Sequence, residues 1–326
     1  MLKRMASLLV ALAIGLASVL ASIPARAQAP YPNRPIRIVI PFGPGGFADI
    51  TVRLLGQKLT ERTGAQVVIE NRPGAGGIVA ASSVLSSPAD GYTLFVFSSG
   101  IALSKSLLKT MPFDPVTAFA PISTMALFDT LLLVKADSPI KTLKDALDAA
   151  RVDPQKFNVA TINPGSTQNV TGELLRAATG IPMTVVPHRT TGEVLTSLLR
   201  GDTQLAVDAL APLKAAVDDK QIRAIASSGS KRSPQLPDVP TMRELGIDAV
   251  VDGWNSLVAP AGTPREIISY LNGHVRAIVA DGEFQKRMID LGGEPASCSP
   301  EELDARLKAD VEMWAAIVKK AGLSPN

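Results

Sequence analysis

The sequence predicts an α/β protein built from two lobes, and two observations carry this prediction. Short apolar runs rich in β-branched residues alternate with amphipathic helical patterns, an order typical of parallel sheets covered by helices on both faces. This alternation occurs twice, and a chain of 326 residues with 46% hydrophobic residues is long enough for two domains of ordinary size.

The strands of each lobe are predicted from apolar runs of four or five residues. The first lobe is expected to contain strands at 36–40, 67–70, 93–97 and 131–134. The middle of the chain repeats the pattern, with strands expected at 157–160, 183–186, 204–208 and 222–226. Helical patterns fill the gaps between these runs, which predicts a second α/β unit like the first.

After Trp254 the pattern predicts helices that cover the first lobe. One face carries Ile267, Leu271, His274 and Ile278, and a second stripe carries Leu303, Leu307, Val311, Trp314 and Val318. The chain is therefore expected to cross between lobes near 133–138 and 249–257. Lobe one then comprises 28–133 and 255–326, lobe two comprises 134–254, and the two crossings form a hinge.

An export signal is predicted at the amino terminus. Lys3 and Arg4 precede an apolar run at 8–20, and small residues follow at 25–27, the order of a secretory signal peptide cut after Ala27. A membrane-spanning helix is the alternative, but it needs about 20 apolar residues, and this run is shorter. The mature protein is therefore expected to be soluble outside the cytoplasm.

Removal of residues 1–27 changes the charge balance. These residues include three basic and no acidic side chains, so the 33 basic and 30 acidic residues of the whole chain become 30 of each. A neutral mature chain without a basic run has no electrostatic footprint for nucleic acid or anionic lipid. The single cysteine, Cys298, excludes an internal disulfide bond.

The first candidate binding segment follows the first predicted strand. Glycines there let a ligand approach the backbone, and the start of the next helix attracts an anion. The position suits a ligand site, which in α/β sheets lies beyond the carboxyl ends of the strands. The spacing excludes the known phosphate loops, although a tight turn explains the glycines equally well. The candidate ligand contacts are Phe42, Pro44, Gly45, Gly46, Phe47 and Asp49.

Further candidates follow other predicted strands, and each has a structural alternative. Ser98 and Ser99 follow the third strand and alternatively cap the next helix. Asp49 lies four residues before Arg53, so an internal ion pair or a cap is as good an explanation as a ligand contact. Asp208 ends a strand and alternatively holds the hinge or a turn. The second-lobe candidates at helix starts are Asn163, Gly165, Ser166, Thr167, Thr190 and Thr191.

A secreted hydrolase or lyase is the rival class. Nucleophilic catalysis needs a base beside the nucleophile, and the chain has only His188 and His274. No G-x-S-x-G motif is present, and one cysteine with two distant histidines gives no metal-ligand spacing. The protein is therefore expected to be neither an enzyme nor a metal or cofactor carrier.

Several motifs make the chain similar to a known family. They are PFGPGGFADITVR at 41–53, ENRPGAGG at 70–77, PADGYTL at 88–94, NPGSTQNVTGELL at 163–175, LPDVPTMRELG at 236–246 and APAGTP at 259–264. Together they resemble the Bug family, the TctC-like periplasmic receptors of tripartite tricarboxylate transporters. The resemblance implies a type II periplasmic-binding-protein fold that closes on a small carboxylate, with a membrane permease as partner. A periplasmic monomer is expected.

Two departures from the family pattern bear on the ligand. Phe47 stands where a small residue or serine is common, and Pro187-His188-Arg189-Thr190 replaces the usual Pro-Tyr-Lys-Gly. The resemblance to the family therefore indicates the class of ligand better than it indicates the particular ligand. Phe47 is expected to pack beside its loop, with stacking on an aromatic acid as the alternative. A sensor module that presents its ligand to a signalling receptor is the alternative role.

Overall fold

The computed structural model describes residues 31–107 and 110–320. From Arg34 onward the described chain belongs to one compact unit. Residues 31–33 belong to a separate N-terminal unit and have no regular secondary structure. The predicted signal peptide lies outside the described residues. No helix in the described ranges is long and apolar enough to cross a bilayer.

The strands follow the apolar runs of the sequence closely. In chain order they are β1 (Ile36–Ile40), β2 (Val67–Asn71), β3 (Thr93–Ser98), β4 (Phe119–Phe128), β5 (Leu131–Lys135), β6 (Asn158–Ile162), β7 (Thr184–His188), β8 (Leu205–Asp208), β9 (Ile222–Ser227), β10 (Gly253–Pro260) and β11 (Glu294–Pro295). All eight predicted strands are present within one or two residues of their expected ends. The strands β4, β10 and β11 were not predicted, and β10 begins within the crossing expected at 249–257.

The helices lie between the strands. They are α1 (Phe47–Thr63), α2 (Ile78–Leu85), α3 (Ser99–Leu107), α4 (Leu143–Val152), α5 (Thr167–Thr179), α6 (Thr191–Arg200), α7 (Leu210–Asp218), α8 (Arg265–Val279), α9 (Gly282–Asp290) and α10 (Pro300–Lys320). Most of α1 to α7 connect one strand to the next, so they cover the faces of the sheets.

The two lobes contain one sheet each. The first sheet has the order β11-β4-β10-β3-β1-β2, and the second has the order β7-β6-β8-β5-β9. Both sheets are mixed, which corrects the prediction of purely parallel sheets. The strands β10 and β5 run antiparallel to their neighbours. These are strands by which the chain enters a lobe, so their direction depends on the crossing rather than on a local pattern.

The chain changes sheets at two places. The first crossing is only Asp129 and Thr130, between β4 and β5, and the second is the segment between β9 and β10. The first change therefore comes before the predicted 133–138, and all of β5 lies in the second sheet. The crossings contact each other, because Thr130 N donates to Ser228 Oγ at 3.0 Å and Ser228 Oγ donates to Val251 O at 2.8 Å.

The last helix packs on both lobes, which corrects the expectation that it covers the first lobe alone. Leu303 and Leu307 of α10 lie in the core around Phe95, Phe97 and Trp254. Trp314 and Val318, farther along the same helix, lie in the core of the second lobe. The apolar stripe predicted from the sequence is present, but its two halves pack in the cores of different lobes.

Candidate functional site

Loops from the carboxyl ends of both sheets meet between the lobes. The hydroxyls of Ser99 and Thr167, at the starts of α3 and α5, are hydrogen-bonded across the cleft at 3.0 Å. A Cβ atom at Gly100 would overlap the carbonyl oxygen of Gly165, so these two segments approach backbone to backbone. A Cβ at Gly43 would lie 2.8 Å from the carbonyl oxygen of Arg189.

The loop before α1 is held by Asp49. One oxygen of this carboxylate accepts from Gly45 N at 2.9 Å and from Arg53 Nε at 3.0 Å. The other accepts from Asn71 Nδ2 at 2.9 Å and lies 2.9 Å from the Arg53 guanidinium. Burial alone would raise the pKa of Asp49, but the hydrogen bonds from Arg53, Gly45 and Asn71 outweigh it and hold the pKa below its usual range. The ion pair that the sequence left as an alternative is therefore present.

The aromatic candidates of this loop are buried. Phe42 is 8% exposed, and Phe47 is 4% exposed with its ring centroid 4.6 Å from that of Phe128. Phe47 therefore packs against the end of β4. Pro44 and Gly45 are exposed, and Gly45 has a φ of +80°, a conformation that side chains rarely adopt. Gly46 comes just before α1 and faces Thr191, whose Oγ1 would lie 3.8 Å from a Cβ placed on it.

Two hydroxyl candidates of the second lobe cap their own helices. Ser166 Oγ accepts from Asn169 N at 3.0 Å at the start of α5, and Thr190 Oγ1 accepts from Glu193 N at 3.2 Å at the start of α6. Each hydroxyl satisfies one of the free N–H groups that begin a helix. Their side-chain acceptors are therefore engaged inside the second lobe, while Gly165 shapes the turn with a φ of +79°.

Five other side chains between the lobes are buried and carry polar atoms with no hydrogen-bond partner among the described residues. They define the interlobe site: Ser98, Asn163, Thr191, Asp208 and Asn255. Ser98 and Asn255 are paired across β3 and β10, whereas the other three begin or precede helices of the second lobe. Buried polar groups normally have partners, so this cluster indicates a surface that binds something polar.

Asp208 is the one ionisable member of the interlobe site. Its Oδ1 accepts from Gln168 Nε2 at 2.9 Å and from Ala209 N at 2.8 Å. The hydroxyl of Thr191 faces the same carboxyl without reaching hydrogen-bonding geometry. Burial raises the pKa of Asp208, and these neutral neighbours offset the rise only in part.

Sequence reasoning missed Gln168 and Asn255. Gln168 stands inside the NPGSTQNV motif, directly after the predicted helix start, so its position was an available signal. Asn255 lies in β10, which was not predicted as a strand, and its proximity to Ser98 follows only from sheet pairing. Nothing local in the sequence distinguishes it.

The interlobe site is suited to binding a small anion. Five helices, α1, α3, α5, α6 and α7, each follow a strand of one of the two sheets, and their first N–H groups carry partial positive charge. Hydroxyl and amide side chains add neutral hydrogen-bond donors. Within the described ranges, no cluster of acidic, histidine and cysteine side chains has the arrangement of a metal site.

Comparison with protein families agrees with this geometry. Residues 51–323 match the family described as tripartite tricarboxylate transporter family receptor, TctC. The match covers most of the chain, including α1 beyond its first turn and the whole second lobe.

Solved structures of similar proteins share the fold. The periplasmic binding protein BugD is 31% identical, with a TM-score of 0.86, and the alignment covers 91% of this chain and 100% of BugD. The R. palustris protein Rpa4515, solved with adipate, is 33% identical, with a TM-score of 0.86 and coverage of 91% and 100%. MatC from Rhodopseudomonas palustris, solved with bound malate, is 29% identical, with a TM-score of 0.83 and coverage of 88% and 100%.

Proposed function

Since this chain belongs to the tripartite tricarboxylate transporter family of receptors, we propose that it captures a small carboxylate in the periplasm and delivers it to membrane permease subunits. The interlobe site carries this proposal. Helix starts from both lobes face one cleft, and the buried polar atoms there have no partner among the described side chains. A carboxylate would suit the helix starts because it is negatively charged, and it would suit the unpartnered polar groups because it accepts several hydrogen bonds.

Membership of the family confirms three predictions from the sequence. The resemblance to TctC-like and Bug receptors is correct, and the two-lobed periplasmic-binding-protein fold is present. The chain is a solute-binding receptor and not an enzyme, as expected.

The ligands of similar proteins support a short dicarboxylate. One similar structure was solved with adipate and another with malate. Both molecules carry a carboxylate at each end, which matches a cleft with helix starts in both lobes. We propose that one carboxylate of the ligand lies where the loop containing Gly45 and Gly46 meets Thr191 and Asp208.

The remaining ligand contacts are proposed on the same grounds. Ser98 and Asn163 would bind the ligand through their unpartnered atoms. Ser99 and Thr167 would contribute by joining the lobes over it. Closure would bend the chain at the two crossings, and the lobe limits predicted from the sequence, 28–133 with 255–326 and 134–254, stay part of this proposal.

Export and assembly complete the proposal. The signal peptide would be removed after Ala27, so intact mass spectrometry of the exported protein should give a chain that begins at Gln28. The receptor would act as a monomer that carries ligand to the permease. An uncut chain in the periplasmic fraction would contradict the predicted cleavage site.

The ligand class is tested by thermal unfolding with a panel of compounds. Malate, adipate and related short carboxylates should raise the melting temperature, because a ligand at about 100 times its Kd adds roughly 2.7 kcal/mol of stability. Neutral sugars and diamines of similar size are the controls and should have no effect. A panel in which a sugar stabilises the protein and no carboxylate does would contradict the proposal.

A further inference from the structure

Asp208 is an unusual group to find in a cleft that binds anions. It ends β8 and is 0% exposed. Its Oδ1 accepts two hydrogen bonds, from Gln168 and from the backbone of Ala209. Oδ2 accepts none within the described residues, although the Thr191 hydroxyl faces this carboxyl and lowers its pKa. This second oxygen is therefore the atom left for a ligand.

Charged neighbours do not stabilise an ionised Asp208. The elements packed around it carry several titratable or charged groups: Asp49 and Arg53 on α1, Asp129 before β5, His188 and Arg189 before α6, Glu193 on α6, and Lys214 and Asp218 on α7. Asp49 pairs with Arg53, Lys214 pairs with Asp218, and Glu193 accepts from the backbone of Arg189. The pKa of Asp208 is raised by burial and moderated only by neutral donors, with no contribution from any of these charges.

A second negative charge beside such a group is strongly unfavourable. Two carboxylates that share a buried site do not both ionise, because each raises the pKa of the other. A ligand carboxylate at Oδ2 would therefore require a proton between the two groups. The protonated acid supplies a hydroxyl donor, which a carboxylate oxygen accepts in a short, charge-assisted hydrogen bond.

We propose that Asp208 binds the ligand as a neutral acid, donating the proton on Oδ2 to a ligand carboxylate oxygen, so that this receptor recognises one end of a dicarboxylate without a basic side chain. This inference rests on the proposed function, because it takes the ligand to be a carboxylate. Asp208 would then select the charge of the ligand and make its capture depend on pH.

Proton linkage follows directly. If only the protonated form binds, affinity is full below the pKa of Asp208 in the free protein and falls by up to about tenfold per pH unit above it. Where the free protein is ionised, binding takes up as much as one proton for each ligand. A cationic ligand group would show the opposite pH dependence. Its affinity would rise with pH, because it needs the ionised carboxylate of Asp208.

The experiment is calorimetric titration from pH 6 to pH 9 with the panel carboxylate that raises the melting temperature most. The wild-type affinity should fall over this range, by up to about tenfold for each pH unit above the pKa of Asp208 in the free protein. Asp208→Asn should bind within about threefold of wild type at pH 6 and show no slope, because its amide oxygen keeps the bonds to Gln168 and Ala209 while its amide N–H replaces the acid hydroxyl. Asp310→Asn on α10 is the matched control, since it removes another carboxyl whose pKa burial raises, and it should keep the wild-type slope.

Each other outcome contradicts the proposal. A flat wild-type profile, or a loss of more than tenfold in Asp208→Asn at pH 6, would show that Asp208 does not act as a neutral donor. If the asparagine variant does not fold, titration of the wild type in buffers of different ionisation enthalpy measures the proton uptake directly, and no uptake at any pH overturns the inference. A panel in which no carboxylate binds would overturn the proposed function and this inference together, whereas binding without pH dependence would overturn this inference alone.

Discussion

Asp129 occupies the first crossing between the lobes and has an oxygen with no partner among the described residues. Burial raises the pKa of Asp129 to about 6, the nearby Asp252 carboxylate adds to the rise, and the Ser227 hydroxyl offsets part of it. A carboxyl whose pKa is higher in the folded than in the unfolded protein stabilises the fold most at low pH. Its contribution is complete below the unfolded pKa and is lost as pH rises through about 6.

Replacing Asp129 with asparagine should therefore stabilise the protein at neutral pH. The variant's free energy of unfolding relative to wild type should increase by about 2 to 3 kcal/mol between pH 4 and pH 7.5, since one unit of pKa shift corresponds to about 1.4 kcal/mol. Urea unfolding at both pH values measures this change. Asp137→Asn, at an exposed carboxylate, is the control and should show no such gain. An equal difference at the two pH values would contradict the raised pKa.

At the scale of single elements, the starts of α5 and α6 use similar hydroxyls differently. Ser166 accepts from its own helix and so stabilises α5, whereas Thr191 Oγ1 is buried, 5% exposed as a residue, and has no partner within the described chain. The first is a structural cap, and the second is available to a ligand. In the sequence both are hydroxyl residues at helix starts, and nothing there distinguishes the cap from the residue available to a ligand.

These roles predict opposite effects of two conservative variants. Ser166→Ala should lower the unfolding free energy of the unliganded protein by about 0.5 to 2 kcal/mol, the usual effect of losing a helix cap. Thr191→Val should leave that stability nearly unchanged and weaken carboxylate binding by about 1 to 3 kcal/mol. Thermal unfolding without ligand and calorimetric titration separate the two. Unchanged affinity in Thr191→Val would remove Thr191 from the proposed site.

The helix α10 ties the two lobes together at its carboxyl-terminal half. Trp314 is 2% exposed and packs in the second core, although the helix begins on the first. Trp314→Ala should cost about 3 to 5 kcal/mol of stability, the range for removing a buried large side chain. The adjacent Met313, which is 46% exposed, provides the control, and Met313→Ala should change stability by about 0.5 kcal/mol or less. Similar losses in both variants would mean that helix formation, and not packing, is being measured.

At the scale of the whole molecule, closure depends on glycines that let the lobes touch. Gly100 and Gly165 meet backbone to backbone, and Gly43 meets the carbonyl oxygen of Arg189. These contacts join residues of different sheets, so they exist only while the lobes are closed. A side chain at such a position should act on closure more than on folding.

Gly100→Ala should hold the lobes apart. Small-angle scattering should show that ligand reduces the radius of gyration of the wild type but not of this variant, and binding should weaken because a ligand favours closure only through contacts with both lobes. Gly273→Ala is the control, because a Cβ at this position in α8 meets nothing within 4 Å. Ligand-induced compaction in Gly100→Ala equal to that of the wild type would show that these lobes close differently.

Much of the fold was predictable because the signals are local. All eight predicted strands are apolar runs, and six of them are mostly buried, whereas β2 and β7 lie at sheet edges and are partly exposed. The helix starts at Phe47, Thr167 and Thr191 follow from glycine and hydroxyl residues next to strand ends. The unpredicted strand β10 has no such local signal. Its eight residues are all buried, but they form a strand because β3 and β4 lie on either side of it.

The sequence by itself determined eight of the strands, the helices between them and the family to which the chain belongs, because each of these depends on residues close together in the chain or on motifs in order. Only the tertiary structure decided which polar atoms remain for a ligand. Asp49 and Ser166 are engaged by their neighbours, whereas Asp208 and Asn255 each keep an unpartnered atom. The physical reason is that a hydrogen bond depends on distance and direction in space, so the atoms available for binding follow from how the two sheets and their helices pack.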